Sequence, residues 1–199
     1  TGTLNLAGPV TGLSAVESLA SGSLGSCVVR RVGSDREVAC WGLGNAGFIG
    51  DGATMDRSTP TMVLGIDDAQ IVAVGNDAAC VTRDGGRLAC WGANAFGQQG
   101  TESTMSSTVP VSVPGLQVVA QVSVAHDVNC ARRATASAAC WGANNFGQLG
   151  LGTSGGNRQS PVATPGVTSI DLGGGDEYLC SVDPAGNRWC WGEGVGFNT

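Results

Sequence analysis

The chain reads as an all-β protein assembled from four copies of one unit of about 50 residues. Three observations carry that reading. Cys-Trp-Gly recurs at 40–42, 90–92, 140–142 and 190–192; a second cysteine precedes each triplet, at Cys27, Cys80, Cys130 and Cys180; and 33 of the 199 residues are glycine. The glycines follow no every-third-residue period, which excludes collagen. No apolar run approaches the roughly 18 residues of a membrane helix. Charged residues make up only 13%, yet 42% hydrophobic content is too much for a disordered chain.

Taken along one unit, the triplet is followed by a glycine-rich stretch: Gly44 to Gly50 in the first unit, Asn94 to Gly100 in the second and Asn144 to Gly150 in the third. Proline then recurs at Pro60, Pro110 and Pro161, followed by valines. The units so defined run over about residues 8–57, 58–107, 108–157 and 158–199. Short β-branched runs, Ile71 to Val74 and Val118 to Val124, read as strands. The two cysteines of each unit belong to a hairpin. Setting Cys80 opposite Cys90 leaves Asp84-Gly85-Gly86 as a three-residue turn, with Gly86 free to take the left-handed conformation. The same register leaves Pro184-Ala185-Gly186 in the fourth unit, with Pro and Gly where such a turn wants them. In the first unit, Cys27 opposite Cys40 leaves the two-residue turn Gly33-Ser34. The third offers Ala134-Thr135-Ala136, with no glycine.

Eight cysteines, one pair per unit, read as a disulfide framework. Residues directly opposed on antiparallel strands approach the lower part of the disulfide Cα range, so the expected bonds are Cys27–Cys40, Cys80–Cys90, Cys130–Cys140 and Cys180–Cys190. Each closes a loop of about a dozen residues, worth roughly 2–3 kcal/mol on the chain-entropy account. Four such bonds belong in an oxidising compartment: secreted, cell-surface or periplasmic. The competing readings are a metal site or reduced buried thiols. Structural zinc sites want cysteines two to four residues apart, a spacing not found here, and His126 is the one histidine available for mixed ligation.

Ten arginines and no lysines stand against sixteen acidic residues, a net charge of −6. That balance lacks the positive footprint of nucleic-acid binding and disfavours an anionic membrane surface. Residues 1–26 hold neither a basic n-region nor a compact apolar h-region, and a start at Thr1 fits a processed or excised chain.

The motif Cys-Trp-Gly-x-Asn-x-x-Gly-Gln-Leu-Gly at 140–150, nearly repeated at 90–100, resembles the regulator of chromosome condensation repeat, as do the segments around Pro110-Val111 and Pro161-Val162. The resemblance spans nearly the whole chain and implies a β-propeller of four blades, each a four-stranded antiparallel sheet. Family propellers usually close with about seven blades, so the four here imply a closed four-bladed ring, part of a larger ring, or a ring completed by several chains. Residues 1–7 are candidates for the outer strand missing from the last unit. The first unit departs from the pattern, with Gly44 for Asn and Phe48 for Gln, and the fourth breaks off after Gly192. The family's usual histidine two residues before the upstream cysteine is replaced by Gly25, Ala78, Val128 and Tyr178. The hairpin disulfide resembles the secreted bacterial branch of the family.

Little in the chain suggests catalysis. His126 has no recurrent Ser or Cys partner once the cysteines are oxidised, and it occupies the place of Ser23, Asn76 and Asp176 in the other units. Asp77, Asp127 and Glu177 recur three residues before the upstream cysteine, where capping of a turn is the expected role. The expectation is therefore no enzyme, no cofactor and no metal. Trp41, Trp91, Trp141 and Trp191 each adjoin a disulfide cysteine. Neighbours on a strand face opposite ways, so these rings are expected to fill the space between blades, with sugar-binding platforms as the alternative. Trp189 stands where the other units have Ala39, Ala89 and Ala139, which makes it a candidate contact residue or an edge-packing one. Residues 101–107 and 152–159 differ most between units, and Met105 is a candidate anchor there. The leading expectation is an extracytoplasmic, non-catalytic protein-binding module, since family members grip other proteins through loops on one propeller face. The alternatives are a self-assembling structural unit and a glycan-binding module.

Overall fold

The computed structural model describes residues 9–116, 118–175 and 177–194. Its strands form four antiparallel sheets, each connected in simple sequence order. The first contains β1 (Val16–Ser21), β2 (Gly25–Val32), β3 (Asp35–Gly42) and β4 (Arg57–Met62). The second contains β5 (Ala69–Val74), β6 (Ala78–Arg83), β7 (Arg87–Gly92) and β8 (Ser107–Ser112). The third contains β9 (Val119–Val124), β10 (Val128–Arg133), β11 (Ser137–Gly142) and β12 (Arg158–Thr168). The fourth has three strands among the described residues, β13 (Asp171–Gly174), β14 (Tyr178–Val182) and β15 (Arg188–Gly192). The sheets are the blades of a propeller. β1 packs on β5, β5 on β9 and β9 on β13, while β13 makes no comparable contact with β1 among the described residues. The described strands thus follow one another from blade to blade about the axis. Residues 1–7, expected as an outer strand, lie outside the described residues.

Pro60, Pro110 and Pro161 sit in β4, β8 and β12, the outer edge of each sheet, where a residue without an N–H costs no ladder bond. The strand that opens a sequence unit therefore completes the sheet of the unit before it. Blade and sequence repeat are offset by one strand.

The hairpin register places Cys27 opposite Cys40, Cys80 opposite Cys90, Cys130 opposite Cys140 and Cys180 opposite Cys190. All four pairs are disulfide-bonded, with Cα atoms 4.0–4.1 Å apart. Asp84 to Gly86 form the second turn with Gly86 at φ +71°, and Gly186 takes φ +85° in the fourth. In the third turn Ala136 is forced to φ +65°, a left-handed conformation that costs an L-residue about 1 kcal/mol. That strain is the price of a turn without glycine.

The core lies in the seams between sheets. Cys27, Val29, Val38, Cys40, Phe48 and Ile49 of the first sheet and its loop pack against Val72, Ala79, Val81 and Trp91 of the second. The opposite face of the second sheet, with Cys80, Leu88 and Cys90, packs against Val122, Ala131 and Trp141 of the third. Cys130, Cys140 and Leu149 then meet Leu172, Leu179 and Trp191. Each inner sheet thus turns its disulfide toward the next blade and its tryptophan toward the preceding one, the alternation that a strand's pleat imposes.

Candidate functional site

Antiparallel pairing brings two sets of connections to one end of the propeller: the turns after the innermost strands and the long loops after the third strands. The loops are ordered by buried amides. Asn94 accepts the Gln99 N–H at 2.8 Å and donates to the carbonyls of Ser103 and Met105 at 2.9 and 3.0 Å. Asn144 repeats this with Leu149, Thr153 and Gly155. The first loop has Gly44 at this place, and its N–H donates to the Asp56 carboxylate instead. These bonds hold the surface of each loop fixed. Met105 is 79% exposed there, and Met55, one repeat earlier, is 65% exposed.

Each loop reaches across a seam. The indole N–H groups of Trp91, Trp141 and Trp191 donate to the carbonyls of Phe48, Gln98 and Gln148 in the preceding unit, at 2.7–2.8 Å. The rings press on Gly50, Gly100 and Gly150. A Cβ at Gly100 would lie 2.9 Å from the Trp141 Nε1, and its φ of +71° independently favours glycine. Trp41, in the first sheet, is only partly buried.

The Gln98 side chain accepts the Phe96 N–H at 2.9 Å and donates to Asp127 Oδ1 at 3.1 Å. Gln148 likewise accepts from Phe146 and donates to Glu177 Oε2 at 2.5 Å. The carboxylates of Asp127 and Glu177 therefore serve the seam. Their turns are closed by main-chain bonds, Ala125 N–H to Val128 and Gly175 N–H to Tyr178, which replaces the expected capping role. At the first seam Phe48 stands where the glutamines do, and Asp77 Oδ1 is buried without a hydrogen-bond partner.

The same geometry draws the recurring residues together. His126 Nδ1 lies 3.8 Å from Asp127 Oδ2 and 3.8 Å from Glu177 Oε1. Its ring lines a cavity of about 150 Å³ on the axis, with Ser23, Asn76, Ala125 and Gly175. Burial raises the pKa of Asp77, against the opposing pull of His126. Burial also raises that of Asp127, helped by the Glu177 and Asp77 charges and opposed by His126 and the Gln98 amide. Asp176 lies outside the described residues. Reading the sequence alone missed this convergence, although the regular recurrence of Asp77, Asp127 and Glu177 was its signal. Met55 was missed too, although it lies one 50-residue period before Met105.

Trp189 is 52% exposed, and its indole N–H donates to Asp183 Oδ2 at 3.1 Å. Asp183 also accepts the N–H groups of Ala185 and Asn187 and the Asn187 amide. These hydrogen bonds, the Asn187 side chain first, hold its carboxyl down at about 2. The counterparts Ala89 and Ala139 are covered by β8 and β12. Beside Trp189, a groove of about 420 Å³ is lined by Phe146, Gly147, Thr164 and Trp191. Gly47 and Gly97 abut Thr108 and Gln159 of the neighbouring outer strands, whereas Gly147 meets no strand among the described residues.

Comparison with known proteins agrees with this architecture. The profile described as Regulator of chromosome condensation (RCC1) repeat matches residues 70–98 and again 85–132. No curated protein matches the chain. Among solved structures, Prp20p from Saccharomyces cerevisiae is 19% identical, with a TM-score of 0.79 over 92% of this chain and 47% of its own. Human WBSCR16 is 22% identical, with a TM-score of 0.78 over 89% of this chain and 48% of its own. The CRINKLY WD40 ectodomain of the Arabidopsis thaliana receptor kinase ACR4 is 22% identical, with a TM-score of 0.55 over 90% of this chain and 51% of its own. The chain spans about half the length of these structures. At such identities the likeness establishes the β-propeller fold, and the profile matches place RCC1 repeats within residues 70–132.

Proposed function

We propose that this chain of RCC1 repeats is an extracytoplasmic, non-catalytic module that binds another protein through the loop end of its blades. The observation that carries the reading is the pair Met55 and Met105, exposed at equivalent places on successive loops, the first tied by the Asp56 carboxylate and the second by the buried Asn94 amide. Flexible, polarisable methionines on a rigid support suit a protein contact, and a prearranged surface loses little entropy on binding. The structure that describes Prp20p reports binding to Gsp1p and histones, an example of the fold put to protein binding. The four disulfides support an oxidising setting, and no helix among the described residues is long and apolar enough to cross a membrane. The test is affinity capture from an extracellular fraction, followed by binding of the purified captured protein to wild type and to Met55→Ser/Met105→Ser. The expected outcome is weakening by about tenfold or more in the double variant; equal binding by both rules this face out.

Self-association is the second reading, favoured by the apolar groove beside Trp189. Light scattering over a concentration series decides it: a constant monomer mass excludes it, and a mass that rises with concentration supports it.

A further inference from the structure

We propose that His126, Asp127 and Glu177 form a binding site for a divalent transition-metal ion, with zinc as its representative. The three side chains come from turns 50 residues apart, and the propeller axis brings their donor atoms within 4.8 Å of one another. The imidazole Nδ1 is 3.8 Å from one oxygen of each carboxylate, beyond hydrogen-bonding distance. Two ligands each about 2.0–2.2 Å from a tetrahedral zinc stand about 3.4 Å apart, so each nitrogen–oxygen pair needs to contract by only a few tenths of an ångström to meet on an ion.

The surroundings fit that role. Each carboxylate has one oxygen toward the imidazole and the other held by a glutamine amide, from Gln98 or Gln148. Those glutamines are 2% and 0% exposed. Their carbonyl ends are fixed by the Phe96 and Phe146 N–H groups, so each NH2 must face its carboxylate. Fixing the outer oxygen of a ligating carboxylate is how proteins orient metal ligands. Asp77 adds a third carboxylate to this end of the axis, and its Oδ1 is buried with no hydrogen-bond partner. The His126 ring is 38% exposed, which leaves an ion a path of entry. One nitrogen with two carboxylates suits zinc or a neighbouring first-row ion better than calcium, which prefers six to eight oxygens.

His126 is the one histidine in the chain, so its imidazole gives one set of NMR signals in tag-free protein. Titration with zinc chloride should move those signals to saturation at one equivalent, and isothermal titration should give the same stoichiometry. Zinc should bind at least tenfold more tightly than calcium. Glu177→Gln, which keeps an acceptor for Gln148, should weaken zinc at least tenfold while the tryptophan signals stay native. His126→Ala should remove the site, and Gln98→Leu should weaken it by about tenfold. Equal affinities for zinc and calcium, or zinc binding unchanged in a folded His126→Ala variant, would overturn the proposal. None of these outcomes depends on whether the loop face binds a protein.

Discussion

The seam between the first and second blades differs from the two that follow. At the later seams a buried glutamine crosses from one blade to a carboxylate of the next: Gln98 to Asp127 and Gln148 to Glu177. At the first, Phe48 fills the same place with an apolar ring and Asp77 is left with a bare buried oxygen. The far end of that seam carries a charged crossing that the other seams lack among the described residues. Arg36 crosses it to Asp84 at 2.5 Å and to Gln70 at 3.1 Å, and Arg83 and Arg87 converge on Asp68. At the corresponding end of the third seam, Gln121 reaches Asp171. A repeat therefore fixes where blades meet, while single departures from it decide whether a seam is held by buried amides or by rim charges. Exposed ion pairs such as Arg36–Asp84 contribute little each, so the first seam depends more on apolar packing.

The largest test of that contrast removes the ring common to all seams. Trp141→Ala deletes a fully buried indole and its bond to Gln98 and should cost about 3–5 kcal/mol in denaturant unfolding. Trp191, 8% exposed beside an open groove, should cost less on the same substitution; equal losses would mean that the third seam is as well covered as the second.

Converting the second seam toward the first comes next. Gln98→Leu leaves Asp127 Oδ1 and the Phe96 N–H without partners, a loss of about 1–3 kcal/mol. The same unfolding measurement on Asp127→Asn/Gln98→Leu should recover part of it, and strict additivity would show that the amide does not act through the carboxylate.

The smallest effect separates Trp189 from the seam tryptophans. Its acceptor, Asp183, has a folded pKa of about 2 against an ordinary 3.8. A depressed carboxylate contributes stability above its ordinary pKa and loses it as pH falls through the folded value. As pH falls through about 2, where the folded protein's Asp183 takes up its proton, the Trp189 indole N–H resonance should shift, while those of Trp91, Trp141 and Trp191, which face carbonyls, stay in place. Asp183→Asn should abolish the shift.

The repeat, the hairpin register and the partition of Trp and Cys to opposite faces were legible in the sequence because all three depend on local spacing and on the two-residue alternation of a strand. The loop that forces Ala136 into a left-handed conformation was visible only as a missing glycine. The cluster of His126, Asp127 and Glu177 was not legible as a site. Its members are neighbours through the rotation from blade to blade, which sequence distance does not express. The offset between blade and sequence unit was hidden for a similar reason: Pro110 opens a unit in the sequence but closes a sheet in space.

Each disulfide joins β2 to β3, β6 to β7, β10 to β11 or β14 to β15, and none spans two sheets. Under a stretching force applied at its ends, the chain is therefore covalently protected only inside each blade. The seams part first, and the chain between paired cysteines, which stand 10 to 13 positions apart, is withheld from extension even after the sheets have peeled apart. The molecule would lengthen in four discrete, shortened steps, and reducing agent would release the withheld length.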